Sequence, residues 1–465
     1  MALKFNSLIT SGSSQTNFVV PSFDNKHVYV VNNANGTVSK IDAASNALLS
    51  TTSVGSYAYQ AALSKDNSTL WVALSGGNVF AKFNTSTLVN TLVYLPTGSQ
   101  PRGVALSPDE AYVWFASFTD NKVYKVSTIS PYNVVSTYDV GSGPTNIVMS
   151  PDGSSVWTAN LYGNNVSKID VNSGVVVNVS VESSSENVVF SPDGNIIWAA
   201  TNSNKLYKIN ALTTSVIKII TLPGNARCVE TSKDGLYVWA AHNNNIYIVD
   251  ANSDSIVNTV SVTHGIRYMK QSYDSNYLWT ANFSNQVSKY ETYMVCFKED
   301  SKILTDKGYV PVQNLKKGDL VKTLENGFKK IDTICVKKIH HPASEEKIKN
   351  QLYKCSKENY PELFEDLVIT GCHSILVDNF TSEEQREKTI AVNGDAYVTD
   401  NKYRLPACVD ERTVVYENKG YYNIYNFALE NDDYFMNYGI YANGLLVETS
   451  SKRFLNELSC MNLIE

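Results

Sequence analysis

Through the first 292 residues, apolar and polar positions alternate in short runs broken by Gly, Pro, Asn, Asp and Ser. Val38-Ser-Lys-Ile-Asp42, Val123-Tyr-Lys-Val126, Val166-Ser-Lys-Ile-Asp170 and Leu206-Tyr-Lys-Ile-Asn210 each carry the period of two that marks a strand with one face on a core. The pattern returns at a fixed distance. The six tryptophans, Trp71, Trp114, Trp157, Trp198, Trp239 and Trp279, stand 40 to 43 residues apart, and Tyr29 takes the equivalent place 42 residues before Trp71. Seven residues before each aromatic is a serine, followed two residues on by an aspartate, from Ser22/Asp24, Ser64/Asp66 and Ser107/Asp109 through Ser150/Asp152 and Ser191/Asp193 to Ser232/Asp234 and Ser272/Asp274. This Ser-x-Asp element is turn chemistry: where it reads Ser-Pro-Asp-Gly, at 150–153 and 191–194, Pro presets φ, Asp caps backbone N–H groups and Gly takes positive φ. A further β-branched run, such as Ser215-Val-Ile-Lys-Ile-Ile-Thr-Leu222, completes each unit. Four short strands per repeat of this length predict a β-propeller, with seven blades.

The last repeat ends at Val287-Ser-Lys-Tyr-Glu291 without an outer strand, while the chain begins with an extra strand-like segment, Leu3 to Thr10. Aligning Ser11-Gly12 with Gly141-Ser-Gly143 makes residues 2–10 the missing outer strand of blade seven, which removes two open sheet edges. The units resemble YVTN-type propeller repeats, and Val28-Tyr-Val-Val-Asn32 stands one substitution from that family's tetrapeptide. The resemblance implies a fold and names no ligand. The aromatic stripe reads as packing between blades and the Ser/Asp pairs as turn supports. His27, His242 and His264 do not cluster and are assigned no chemistry. Polar Asn, Ser, Thr and Tyr loops suit a protein or glycan ligand.

Composition divides the chain. The first 292 residues hold 35 charged residues and the remaining 173 hold 49, which places a domain boundary near residue 292. The net charge of −6 is interspersed by sign, so no nucleic-acid footprint is visible. The N-terminus lacks the apolar run of a signal peptide and no stretch reaches membrane-span length, so the protein is expected to be soluble, made in a cytoplasm and without a membrane span. Seven cysteines without a signal peptide point to reduced thiols.

Six of those cysteines, Cys296, Cys335, Cys355, Cys372, Cys408 and Cys460, lie in the charge-rich part. After the last propeller strand comes Tyr293-Met-Val-Cys296-Phe, then Lys302-Ile-Leu-Thr305 and Val312-Gln-Asn-Leu-Lys-Lys-Gly-Asp319-Leu-Val, with β alternation and a Gly-Asp turn. Further on stand Ile369-Thr370-Gly-Cys-His373-Ser-Ile-Leu-Val377 and Tyr425-Asn-Phe-Ala-Leu, which leads to Tyr441-Ala-Asn443-Gly. These three ordered segments resemble the Hedgehog/intein (Hint) superfamily: an opening Cys-Phe, a Thr-x-x-His pair and closing strands. The resemblance implies a β-rich, horseshoe-like autoprocessing domain over 293–450. In it the Cys296 sulfur attacks the Val295 carbonyl, exchanging the amide for a thioester. His373 delivers a proton to the departing nitrogen and Thr370 assists by hydrogen bonding. Water or another nucleophile then resolves the thioester and frees the propeller at Val295. The chemistry suits the residue: a thiolate is a strong nucleophile, and holding it against its own upstream carbonyl supplies effective molarities of about 10⁵–10⁸ M.

The same comparison marks a degenerate C-terminal site. Asn426 stands where an aspartate is common, Asp433 and Ala442 where histidines are common, and Gly444 rather than Cys, Ser or Thr follows Asn443. Splicing is therefore not expected. Cys335, His340, His341 and Cys355 lack paired metal-ligand spacing, so neither metal nor cofactor is expected, and Cys372 reads as a core residue on the strand face opposite His373. The segments around 338–365 and 378–405 read as charged surface insertions. Ser451 to Glu465 reads as a short terminal helix with Phe454, Leu455, Leu458 and Met461 on one side. The pairing is similar to that in viral or microbial surface proteins. The alternative reading is a binding or structural protein with an inert Hint domain.

Overall fold

The computed structural model describes every residue except 1, 13, 14, 234, 274–276, 294, 346, 348, 350, 394, 434, 453, 454, 456–460 and 465, and describes only the backbone of 2, 4, 291–293, 340 and 462. It is almost entirely β. Two compact units form: residues 5–290, and residues 1–4 together with 291–465.

Five sheets of the first unit have four strands each in chain order, beginning with Thr16–Pro21, Ala58–Leu63, Pro101–Leu106, Pro144–Met149 and Ser185–Phe190. These first strands are innermost, since each adjoins the first strand of the next sheet. The expected count of seven blades is corrected to six sheets, because the last two repeats share one six-stranded sheet. Tyr237–Asp250 and Ser255–Gln271 run unbroken through places where the repeat predicts turns. The connection His242-Asn-Asn-Asn245 carries neither Gly nor Pro to stop the strand, and Asn243 pairs with Ile266.

Ala2–Thr10 lies at the edge of this sheet beside Gln286–Tyr293. Ser11 N–H donates to Asn285 O at 2.8 Å, and Ile9 is buried in a cluster with Val287 and Val38. The junction of last and first sheets repeats a bond used elsewhere. Lys289 Nζ donates to Ala43 O at 2.7 Å, as Lys168 does to Ala211 O and Lys208 to Ala251 O. Deleting residues 2–10 removes Ile9 from its cluster and bares the partner strand. The propeller's unfolding midpoint, read by tryptophan fluorescence, should fall by at least about 5 °C. An unchanged midpoint would show the strand to be dispensable.

The repeated turn is built as its residues dictate. Ser22 Oγ donates to Asp24 Oδ1 at 2.6 Å while accepting His27 N–H at 2.9 Å, and the same pair recurs at Ser64/Asp66, Ser107/Asp109, Ser150/Asp152 and Ser191/Asp193. Asp234 and Asp274 lie outside the described residues. The aromatic stripe packs between sheets: Trp71 lies with Phe115 and Tyr124 of the following sheet, and Trp198 with Val238 and Tyr247.

The strands of the second unit join in one extended sheet, and its largest core cluster includes Phe297, Ile303, Tyr353, Ile369 and Phe427. Within the 378–405 insertion, Glu383–Asn393 is an α-helix. The helix expected over 451–465 falls mainly outside the described residues, Phe454, Leu458 and Cys460 among them. Leu455 is buried beside Cys335 and Ala428, and Asn462–Leu463 pairs with the long strand Phe328–His341.

Candidate functional site

The short strand Phe297–Lys298 runs between Gly420–Leu429 and Leu367–Thr370, with Phe297 opposite Tyr425 on one side and Ile369 on the other. Antiparallel pairing decides the next position. One residue back, Cys296 falls level with Asn426 and Thr370. Both reach the 295–296 peptide. The Cys296 N–H donates to Thr370 Oγ1 at 2.8 Å, and Asn426 Nδ2 donates to Val295 O. Thr370 N–H in turn donates to Cys296 O at 3.0 Å. The amide nitrogen and carbonyl oxygen flanking the junction are thus each held by a side chain.

Asn426 is fully buried and is itself held. Its Nδ2 also donates to Ser450 Oγ at 2.6 Å, and its Oδ1 accepts the Phe427 N–H at 2.8 Å. The sequence comparison treats Asn426 only as a departure from aspartate. What places it at the junction is the 297/425 register, which no local pattern carries.

The Thr-x-x-His pair works through a turn rather than through strand alternation. The strand ends at Thr370, Gly371 and Cys372 form a turn, and His373 N–H donates to Thr370 O at 2.9 Å. The first and fourth residues of a β-turn lie side by side, so three-residue spacing brings both side chains to one place. Cys372 is buried, as expected, although the turn and not a strand face puts it there.

The His373 ring is fully buried, 4.3 Å centroid to centroid from Phe297. Its Nε2 lies 3.1 Å from Glu448 O. A carbonyl only accepts, so Nε2 carries the proton and Nδ1 presents a lone pair. Nδ1 is buried with no hydrogen-bond partner among the described residues. The carbonyl that fixes this tautomer is anchored from outside, because the Glu448 carboxylate pairs with Arg404 at 3.1 Å and accepts from Asn437 at 3.2 Å.

Burial sets the protonation states. It pushes the Cys296 thiol well above the ordinary thiol range, with the Lys337 ammonium acting in the opposite direction. It pulls His373 from 6.5 down to about 4, against the Cys296 and Glu448 backbones, which favour the charged ring. At neutral pH the site therefore holds a protonated thiol and a neutral imidazole. Unfolding returns the imidazole to about 6.5, so as pH falls the unfolded chain takes up its proton first. Stability present above pH 6.5 drains away down to about pH 4, in all roughly 3 kcal/mol at about 1.4 kcal/mol per pH unit. Urea unfolding of the second unit followed by circular dichroism should show this slope and lose it in His373→Gln.

The residues of the expected C-terminal site are not brought to the junction. Asn443 and Gly444, with φ of 49° and 103°, form the two-residue turn between Gly439–Ala442 and Leu445–Glu448. The Asn443 side chain accepts the Lys302 N–H at 2.6 Å and donates to Asp366 O at 2.9 Å. Asp433 lies exposed in a loop, where Oδ1 caps Phe435 N–H at 2.9 Å, and Ala442 is buried opposite Leu445 and Ile303. The segment that does reach the site is Glu448–Ser450. Among the other candidates, His341 is occupied by Tyr416 O at 2.5 Å and Leu352 N–H at 3.1 Å. Cys335 and Cys355 are buried as free thiols, and no group of three potential metal ligands forms among the described residues. No helix of the described residues is long and apolar enough to cross a membrane.

A family model described as Hint domain matches residues 295–402, a span that opens at the junction and contains Cys296, Thr370 and His373. Among solved structures, a chain of Kuenenia stuttgartiensis hydrazine synthase is similar at a TM-score of 0.54 and 19% identity, covering 59% of this chain and 94% of that one. At that identity the likeness speaks for fold alone. No curated protein matches the chain. The chain is a β-propeller followed by a β-rich Hint domain.

Proposed function

We propose that the Hint domain cuts its own chain between Val295 and Cys296 and so releases, or transfers to another nucleophile, a propeller that serves as a binding module for a protein or glycan. The observation that carries this reading is that both polar ends of one peptide bond are engaged by side chains, Val295 O by Asn426 and Cys296 N by Thr370, at a buried cysteine whose backbone lies against the His373 ring.

In the first step the Cys296 thiol gives up its proton as the sulfur attacks the Val295 carbonyl carbon, and His373, whose ring is acted on by the Cys296 backbone, takes up a proton for delivery to the departing nitrogen. Negative charge builds on the carbonyl oxygen, where the Asn426 amide donates to it. The C–N bond then breaks and the imidazolium returns its proton to the Cys296 nitrogen, leaving a thioester and a free amine. Atoms and charge balance within the chain. Val295 is half-buried, so water or an added nucleophile has a route to the thioester. Release of Cys296 to Glu465 as a single fragment is the expected end point, because the Asn443 amide is committed to its turn and Gly444 offers no nucleophile.

Intact-mass analysis of freshly made chain, with and without hydroxylamine, tests the reading. A hydroxamate-ended propeller at Val295 supports it. A chain that stays whole, with or without hydroxylamine, favours the inert-domain alternative.

A further inference from the structure

A second site lies in the propeller, and it is independent of the cleavage reading. In every repeat one residue stands twelve positions before the stripe aromatic, and in six of the seven repeats the register of the innermost strand shifts there. A β-bulge re-aims its extra side chain. Since the innermost strands adjoin one another around the ring, these positions converge. In chain order they are Asn17, Tyr59 and Arg102, then Thr145 and Glu186, then Arg227 and Arg267. Neighbours are tied together: Asn17 Nδ2 donates to Tyr59 O at 2.7 Å, and Thr145 Oγ1 to Glu186 O at 3.2 Å.

The ring carries three guanidiniums against one carboxylate. Arg227 pairs with Glu186 at 2.7 Å, while Arg267 and Arg102 are both close enough to act electrostatically on the same carboxylate. Arg102 lies 3.3 Å over the Phe118 ring and Arg267 5.4 Å over Phe283, so aromatic faces hold both cations in place. Nε of Arg102 and Nε of Arg227 are buried without a hydrogen-bond partner among the described residues. The pocket beside them, lined by Asn17, Tyr59, Glu186, Arg227 and Arg267, measures about 40 Å³. That is room for the head of an anion and not for a ring.

We propose that this axial pocket binds an oxyanion group, a carboxylate or phosphate, through Arg227 and Arg267, with Arg102 adding its charge from beside the pocket. An oxyanion satisfies the surplus positive charge and the open guanidinium donors together, and the planar forks of arginine match its geometry.

All six tryptophans lie in the propeller, so fluorescence melts of the full chain carrying Cys296→Ala report this unit without interference from cleavage. Acetate, inorganic phosphate and sialyllactose are titrated against sodium chloride at equal ionic strength, with lactose as the neutral glycan control. At about ten times the dissociation constant the midpoint should rise by roughly 3 °C over chloride. Arg267→Ala should cut this rise at least threefold. Arg267→Lys, which keeps the charge and the fold but loses the fork, should cut it at least twofold. Lys218→Ala, on an exposed outer strand, should leave it unchanged. A rise with sialyllactose larger than with acetate identifies a carboxylate presented on a glycan, and equal rises identify a free oxyanion. The proposal is overturned if no probe exceeds chloride, or if the rise persists in both Arg267 variants.

Discussion

Cys296→Ala is expected to leave the 465-residue chain whole, whereas the natural chain is expected to separate into pieces of 295 and 170 residues. The alanine keeps a small apolar group in a site that is fully buried, so the fold is retained while the nucleophile is lost. No other group can take over. The carbonyl under attack is one residue from the sulfur, and the rate advantage of that placement, equivalent to effective molarities of about 10⁵–10⁸ M, belongs to residue 296 alone. Hydroxylamine or a small thiol should accelerate breakdown of the natural chain by intercepting the thioester and do nothing to the variant. If the alanine chain yields the same fragments at the same rate, a contaminating protease is responsible and the mechanism fails.

Asn426→Ala is expected to slow cleavage by about 10²–10³-fold, the usual loss when one donor to a developing oxyanion is removed. Asn426 Nδ2 already lies on Val295 O, and its orientation is fixed by Ser450 and the Phe427 amide, so little reorganisation is needed as charge develops. Asn426→Asp, the residue common at this place in the Hint superfamily, should cleave faster than Asn426→Ala where its carboxyl is protonated and can donate to the oxygen, and should lose that advantage as the carboxyl ionises. Circular dichroism spectra matching the natural chain would separate lost chemistry from lost fold. A rate within threefold of natural in both folded variants would remove Asn426 from the mechanism.

The repeat and its turns are legible in the sequence because their causes are local. A Ser-x-Asp turn is closed by residues at most five apart, and strand alternation by neighbours two apart, so both leave a periodic trace. The same locality explains the blade count. The repeat holds through residue 291, but whether a strand stops at His242-Asn-Asn-Asn245 depends on whether another strand continues beside it, and that is decided across the sheet.

The candidate site divides in the same way. Thr370 and His373 are readable because a four-residue turn joins them. Asn443 and Gly444, which the sequence comparison marks as a degenerate C-terminal site, form a hairpin turn, a place that dipeptide's readiness for positive φ suits.

What the sequence determined by itself is the β-propeller with its repeated turns, since these follow from interactions among residues close in the chain, whereas Cys296, Thr370 and His373 are read from the resemblance to the Hint superfamily. Only the tertiary structure decided that Asn426 meets Val295 O, that the Glu448 carbonyl sets the His373 tautomer, and that two arginines from separate repeats line one pocket while a third acts on the same carboxylate. These contacts join residues 40 to 131 positions apart through strand register, and register is settled by the packing of whole strands rather than by the residues that meet.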